Sequence, residues 1–300
     1  MLAMLINVPA IKALNTSFQK LFDTAWRESP EWGNKVAMTV PSSTRTNTYG
    51  WMKRLLKMRK WDGPRLIQNL GTHAYLLENE PYEATVGVDR DDIDDDNLGV
   101  YTPIVQELGR TSRKWPDQLL KTALQAGTTN LGFDGVAFFG ATHPLNPAGN
   151  QTNNFTTTAL SATNFGVVRA AMRGFTGEDG EPLGVGEGGF LLVVPPQLED
   201  TANTIVTAAF GSSGQSNVQQ GQAKVLVVPE LANQGTTWYV ADVGAPIKPL
   251  IFQLRKPVQL VSKTTPTDDN VFNQRQFVWG TDGRGVAGYG PWFLMARAIA

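Results

Sequence analysis

The chain has 300 residues, 26 basic and 27 acidic side chains, a net charge of −1 at pH 7 and no cysteine. A chain this long buries about three-quarters of its unfolded surface, so its core needs no disulfide or metal staple, and the lack of cysteine excludes thiol nucleophiles and zinc knuckles. The balanced charge argues against a sequence-reading nucleic-acid protein, and no run of about 18 apolar residues offers a membrane span.

The opening segment MLAMLINVPA lacks a basic leader and runs straight into an amphipathic pattern, so it is not read as a signal peptide. Ile11, Leu14, Phe18, Leu21, Phe22, Ala25 and Trp26 recur at spacings of three and four, which predicts a helix over 9–27. From Val36 the period falls to two, and 44–51 is rich in strand formers. Asp62-Gly63 is a turn signal, and Tyr82, Ala84, Val86 and Val88 share one face of a returning strand. The pattern predicts a long hairpin, out and back.

Charge is sharply separated along this stretch. Lys53, Arg54, Lys57, Arg59, Lys60 and Arg65 face one acid, Asp62, a local net of +5. Glu78, Glu80, Glu83, Asp89, Asp91, Asp92, Asp94, Asp95 and Asp96 face one base, Arg90, a local net of −8. A molecule basic in one place and acidic in another can dock head-to-tail on copies of itself, because complementary potentials steer and orient association. Lys53, Arg54, Lys57, Arg59, Lys60, Arg65, Glu83, Asp91, Asp92, Asp94, Asp95 and Asp96 are therefore the candidate subunit-interface residues.

Helical spacing follows at Ile104, Val105 and Leu108 and again at Leu119, Leu120, Ala123 and Leu124, with a fresh start or kink expected at Trp115-Pro116-Asp117 and a stop at Gly127. Residues 140–163 read as a long polar loop, and 164–173 as a short helix capped by Asn164. Leu191–Val194 reads as a buried strand, followed by a helix bearing Leu198, Ala202, Ile205, Val206 and Ala209, and 211–222 as a flexible loop. Further strands are expected at 225–228, 238–240, 251–254, 258–261 and 277–279. The alternation over 164–245 suggests a small α/β unit.

Catalytic signatures are poor. His73 and His143 have no metal spacing, and His143, before Pro144, suits a turn or cap. Gly184, Gly186 and Gly189, and Gly283, Gly285 and Gly288, both satisfy G-x-G-x-x-G, but neither opens onto a predicted helix, so both read as glycine turns. Asp92, Asp94 and Asp96 fit the first ligands of a calcium loop, but Pro103 stands where the bidentate carboxylate is needed. No cofactor, metal or catalytic residue is assigned.

The strings Thr44–Trp51, Tyr82–Asp92 and Asp95–Gly99, then Phe138-Phe139 with His143-Pro144, and Asp268–Phe272 with Phe277–Gly280, resemble the major head proteins of Mu-like tailed phages and prophages nearly end to end. That resemblance implies a non-enzymatic α+β chain with the Hong Kong 97-like capsid fold. Its expected parts are an N-terminal arm (1–35), an extended loop hairpin (36–90), a peripheral domain with a long spine helix (91–139 and 246–300) and an axial domain (140–245). It further implies a major capsid protein that self-assembles into hexamers and pentamers of an icosahedral head around double-stranded DNA. Scaffold, portal and decoration proteins are the implied partners, with no membrane, and assembly is implied in the host cytoplasm. A cellular nanocompartment shell shares that fold. The alternative from another class is a soluble β-rich glycan-binding protein or hydrolase.

Overall fold

A computed structural model describes residues 8–50, 75–95, 98–146, 149–177, 179–211, 214–265 and 267–300. In chain order the elements are α1 (Val8–Glu28), α2 (Gly33–Val36), β1 (Ala37–Pro41), β2 (Thr46–Tyr49), β3 (Tyr75–Glu78), β4 (Glu80–Asp89), α3 (Arg90–Asp94), α4 (Thr102–Ala126), β5 (His143–Asn146), β6 (Gly149–Gln151), β7 (Asn154–Phe155) and α5 (Ala162–Arg173). They continue with β8 (Phe190–Val194), α6 (Glu199–Thr207), β9 (Ala223–Val227), β10 (Thr237–Asp242), β11 (Leu250–Lys263), α7 (Asp269–Gln274), β12 (Gln276–Tyr289) and β13 (Met295–Ile299).

The apolar stripe read from the sequence builds α1: Ile11, Leu14, Phe18, Phe22 and Ala25 are all buried. Phe18 meets Trp279 of β12 edge-on at 4.8 Å, and the Trp279 indole donates to Asn15 at 2.9 Å. Together with Val105 and Leu108 of α4, Val88, Ile93, Val271 and Phe277, these residues form the smaller of two cores.

α4 runs unbroken through Pro116, where a fresh start or kink was expected. A proline there removes one backbone bond, but α4 is held by its packing against α1 and β12. Gly127 is its C-cap, as read. The N-cap of α5 is Ser161, three residues before the expected Asn164, whose amide donates to the Ser161 hydroxyl at 3.1 Å.

The described residues form two main sheets. The first is ordered β1-β11-β12-β4, with β1 parallel to β11 and the other pairs antiparallel. The strands expected at 251–254 and 258–261 are one 14-residue strand, β11, whose pairing slips around Pro257; a proline in a strand is accommodated at such an irregularity. The strand expected at 277–279 extends through the second glycine motif to Tyr289.

The second sheet, ordered β7-β13-β10-β8-β9, lies in the larger core. All five residues of β8 and all six of β10 are buried. α6 is the crossover between parallel β8 and β9. The final strand, β13, pairs with β10 and β7, so it departs from the expected grouping of 246–300. Met295, Ala296 and Ala298 are fully buried there, and the apolar face of β13 has its partners in this sheet.

β1 and β4, expected as parts of the 36–90 hairpin, are the two edges of the first sheet. Among the described residues of that stretch, β2 and β3 are the pair of hairpin arms, from Thr46 opposite Glu78 to Tyr49 opposite Tyr75.

Candidate assembly surface

β2 and β3 are the root from which the chain departs after Tyr49 and to which it returns before Tyr75. One buried side chain, Gln253 of β11, clamps that root. Its Oε1 accepts from the Tyr49 hydroxyl at 2.7 Å, and its Nε2 donates to the Leu77 carbonyl at 3.2 Å and to Asn79 Oδ1 at 2.9 Å. Asn79 Nδ2 in turn donates to Ser42 Oγ at 3.0 Å and to the Thr44 carbonyl at 2.9 Å. The Tyr75 hydroxyl accepts from the Tyr289 amide at 3.0 Å, and burial pushes its pKa up to about 12. A root with buried polar groups satisfied on both strands has one geometry rather than several. Sequence reading missed Gln253, because a single glutamine in an apolar strand carries no pattern.

The acidic corner lies at the far end of β4. Asp89 is the N-cap of α3 and accepts from the Asp91 amide at 2.9 Å, satisfying an otherwise orphaned donor. The Arg90 amide donates to the Arg275 carbonyl at 2.9 Å. Asp91 forms an ion pair with Arg275. Asp92 accepts from the Tyr101 hydroxyl, and this bond is the main reason the Tyr101 pKa is raised. Ile93 anchors the turn in the smaller core at 1% exposure.

The structure therefore divides the candidate interface residues. Asp91 and Asp92 have partners within their own chain. Asp95 is exposed, and Asp94 ends α3. Glu83 is exposed on β4 opposite Asp282, and accepts from the Thr85 hydroxyl at 2.6 Å. Six residues along a strand separate Glu83 from Asp89 by roughly 20 Å. Asp282 is itself paired with Lys256 of β11. Lys53, Arg54, Lys57, Arg59, Lys60, Arg65 and Asp96 lie outside the described residues.

An open apolar groove runs between β4 and α4. It is lined by Ala84, Thr85, Val86, Pro103, Ile104, Glu107, Leu108 and Thr111 and has a volume of about 550 Å³.

His143 is wholly buried, where a turn or cap was expected. Its Nδ1 lies 2.6 Å from Asp134 Oδ2, its Nε2 lies 3.1 Å from Asn153 Oδ1, and its ring stacks on Trp292 at 4.1 Å. Asn153 is the hub: Oδ1 also accepts from the Gly140 amide at 2.9 Å, and Nδ2 donates to the carbonyls of Phe138, Trp292 and Met295. No Ser or Thr hydroxyl bonds to this histidine among the described residues, so the arrangement is a fastener for the loop before β7 and the C-terminal residues.

The glycine motifs also separate. Gly184, Gly186 and Gly189 have φ of 70°, 84° and 90° and form the turn before β8. Gly283, Gly285 and Gly288 lie within β12, not in a turn. A Cβ on Gly285 would sit 2.6 Å from the Gln253 carbonyl and 3.2 Å from the Trp115 ring, and one on Gly283 3.1 Å from that ring, so these two make room for α4 on the sheet, while Gly288 makes room for Leu77 of β3.

A family model described as "Mu-like prophage major head subunit gpT" matches residues 11–159, 151–231 and 230–299. The major capsid protein of Escherichia phage Mu is 33% identical over 296 residues, covering 99% of this chain and 75% of that protein. The Mu-like prophage FluMu major head subunit of Haemophilus influenzae (strain ATCC 51907 / DSM 11121 / KW20 / Rd) is 27% identical over 289 residues, covering 96% of this chain and 72% of its own. Among solved structures, the procapsid of bacteriophage JBD30 aligns with a TM-score of 0.63 at 30% identity, over 98% of this chain and 76% of that one. The JBD30 capsid decorated with minor capsid protein trimers aligns with a TM-score of 0.56 at 30% identity, over 76% of this chain and 99% of that one.

Proposed function

The chain belongs to the Mu-like prophage major head subunit family, and we propose that its copies lock together through the charged arm that springs from the β2–β3 root. It is a phage major capsid protein with the Hong Kong 97-like fold, a structural subunit whose copies assemble into the shell of a virion. No helix among the described residues is long and apolar enough to cross a membrane.

In this reading the shell is an icosahedral head of hexameric and pentameric capsomers, assembled in the host cytoplasm and filled with double-stranded DNA held without sequence preference. Near neutrality suits that role, since strong basicity would bind DNA before packaging. Scaffold, portal and decoration proteins are its partners. The peripheral domain comprises 91–139 and 246–294 around the first sheet. The axial domain comprises 140–245 with β13 around the second, and 1–35 is the N-terminal arm.

The basic residues Lys53, Arg54, Lys57, Arg59, Lys60 and Arg65 dock on the neighbour's acidic corner, with Glu83, Asp94, Asp95 and Asp96 as acceptors. Asp91 and Asp92 shape the corner rather than grip, because Arg275 and Tyr101 already engage them. Apolar burial supplies adhesion, and charge sets register and partner choice.

The observation that carries this reading is the root itself: one buried glutamine holds the described strands on both sides of the strongly basic sequence 53–65. Reversing Lys57, Arg59 and Lys60 to Glu tests it. Electron microscopy should show no particles, while thermal unfolding of the free subunit stays unchanged. Normal particles from that variant would rule out the docking role of the arm.

A further inference from the structure

α5 buries one side in the core and exposes small and apolar residues on the other. Phe165, Val168 and Met172 are fully buried in the larger core. On the opposite side Thr163, Val167 and Ala170 repeat at helical spacing and are exposed, Val167 by 54%. Arg169 and Arg173 are the only charges on the helix. This outward face carries no Lys, Glu or Asp, which are depleted at the core of an interface, and the helix's two charges are both Arg, which is enriched there.

Both guanidinia are held in place. Arg169 lies over the Phe165 ring at 5.7 Å and donates to Gln222, and Arg173 lies over the Phe190 ring at 5.5 Å. Neither has a carboxylate partner among the described residues. They stand one helical turn apart, so their like charges repel. Burial, and secondarily the charge of Arg173, lowers the Arg169 pKa. Paired, pre-oriented guanidinia fit carboxylates well, because little side-chain freedom is lost on contact.

The complementary charge is on α6. Glu199 and Asp200 form its exposed first turn, and neither has a basic partner among the described residues. α6 turns Ala202, Ile205 and Val206 inward. It packs on β9 and β8, whereas α5 packs on β13, and β13 and β9 flank the β10–β8 centre of the sheet. One chain thus carries an unpaired basic helix face and an unpaired acidic helix turn on different parts of one sheet.

We propose that α5 of one copy docks on the first turn of α6 of the adjacent copy, setting Arg169 and Arg173 against Glu199 and Asp200 and covering Val167 and Ala170. The proposal rests on the reading of the chain as a shell subunit. The two faces differ, so the contact is heterologous and can repeat around a closed ring.

A charge swap tests it with the full chain expressed alongside its own head-assembly partners, wild type in parallel. Arg169→Glu with Arg173→Glu should abolish particles, and so should Glu199→Arg with Asp200→Arg. All four substitutions in one chain should restore them. The subunits' circular dichroism and thermal unfolding should match wild type throughout. If either double variant builds normal particles, or if the folded four-substitution chain does not, the contact is wrong. An arginine variant that forms empty shells of normal yield but fails to retain DNA would overturn the proposal in favour of nucleic-acid phosphate. Failure of the wild-type chain itself to form particles would instead overturn the shell reading.

Discussion

Tyr49, the last residue of β2, donates its hydroxyl hydrogen bond to Gln253, 204 positions later in the middle of the first sheet. The same glutamine holds Leu77 and Asn79 on the returning side. Both sides of the hairpin root therefore depend on one buried amide. Gln253→Leu keeps the volume but removes the acceptor that the Tyr49 hydroxyl uses at 2.7 Å and the donor to the Leu77 carbonyl and Asn79 Oδ1. Each buried group left unmade costs roughly 1–3 kcal/mol. The subunit should lose about 2–4 kcal/mol in denaturant unfolding, amides over 46–49 and 75–78 should exchange faster, and particle yield should fall. Unchanged exchange over those two segments would count against the clamp.

Asp117 gives a pH prediction. Its carboxylate accepts from the amides of Trp32 at 3.0 Å and Gly33 at 2.8 Å, tying the α1–α2 junction to α4. Burial raises its pKa above the ordinary 3.8, more than those two amide bonds lower it. Below 3.8 both folded and unfolded chains are protonated and the group contributes no pH dependence. As pH rises from there through the raised folded value, the unfolded chain releases its proton first, so stability falls. Asp117→Asn should lack that component in a comparison of unfolding curves across pH. Asp117→Ala should cost about 2–4 kcal/mol at any pH, since it strands two buried amides.

Asn153 should behave as a structural hub. Asn153→Ala removes an acceptor from Gly140 and His143 and a donor from the carbonyls of Phe138, Trp292 and Met295. A loss of about 3 kcal/mol or more is expected in thermal unfolding. His143→Ala should be milder, because Asn153 keeps its four backbone bonds. An equal or larger loss for the histidine variant would mean that the ring stack on Trp292, not the amide hub, holds the loop.

The glycines of β12 can be tested by addition. Gly285→Ala pushes a methyl against the Gln253 carbonyl, a backbone atom that cannot swing aside, and against Trp115. Overpacking of this kind costs about 1–3 kcal/mol. Trp115→Ala, which empties the same layer, should cost about 3–5 kcal/mol. If Gly285→Ala unfolds at the wild-type midpoint, the close approach of α4 to β12 is not as described.

Much was legible in the sequence wherever one side of an element is apolar and the other wet. The stripe of α1, the alternation of β4 and the buried run of β8 each follow from the period of their own residues. The charge split between 53–65 and 78–96 and the family strings also needed nothing beyond the order of residues. Partners distant in sequence did not show. β12 was read short because Gly283, Gly285 and Gly288 look like turn residues until Trp115 of α4 is seen against the first two and Leu77 of β3 against the third. β13 was missed because MARAI is too short to show a period and gains its burial only beside β10. Among the acids read as one docking set, the contacts of Asp91 with Arg275 and of Asp92 with Tyr101 did not show either, because they depend on where α7 and α4 pack. Local periodicity is written residue by residue along the chain. The buried bonds of Gln253, Asp117 and Asn153 exist only once two distant segments exclude water between them, and that is set by the packing of the whole.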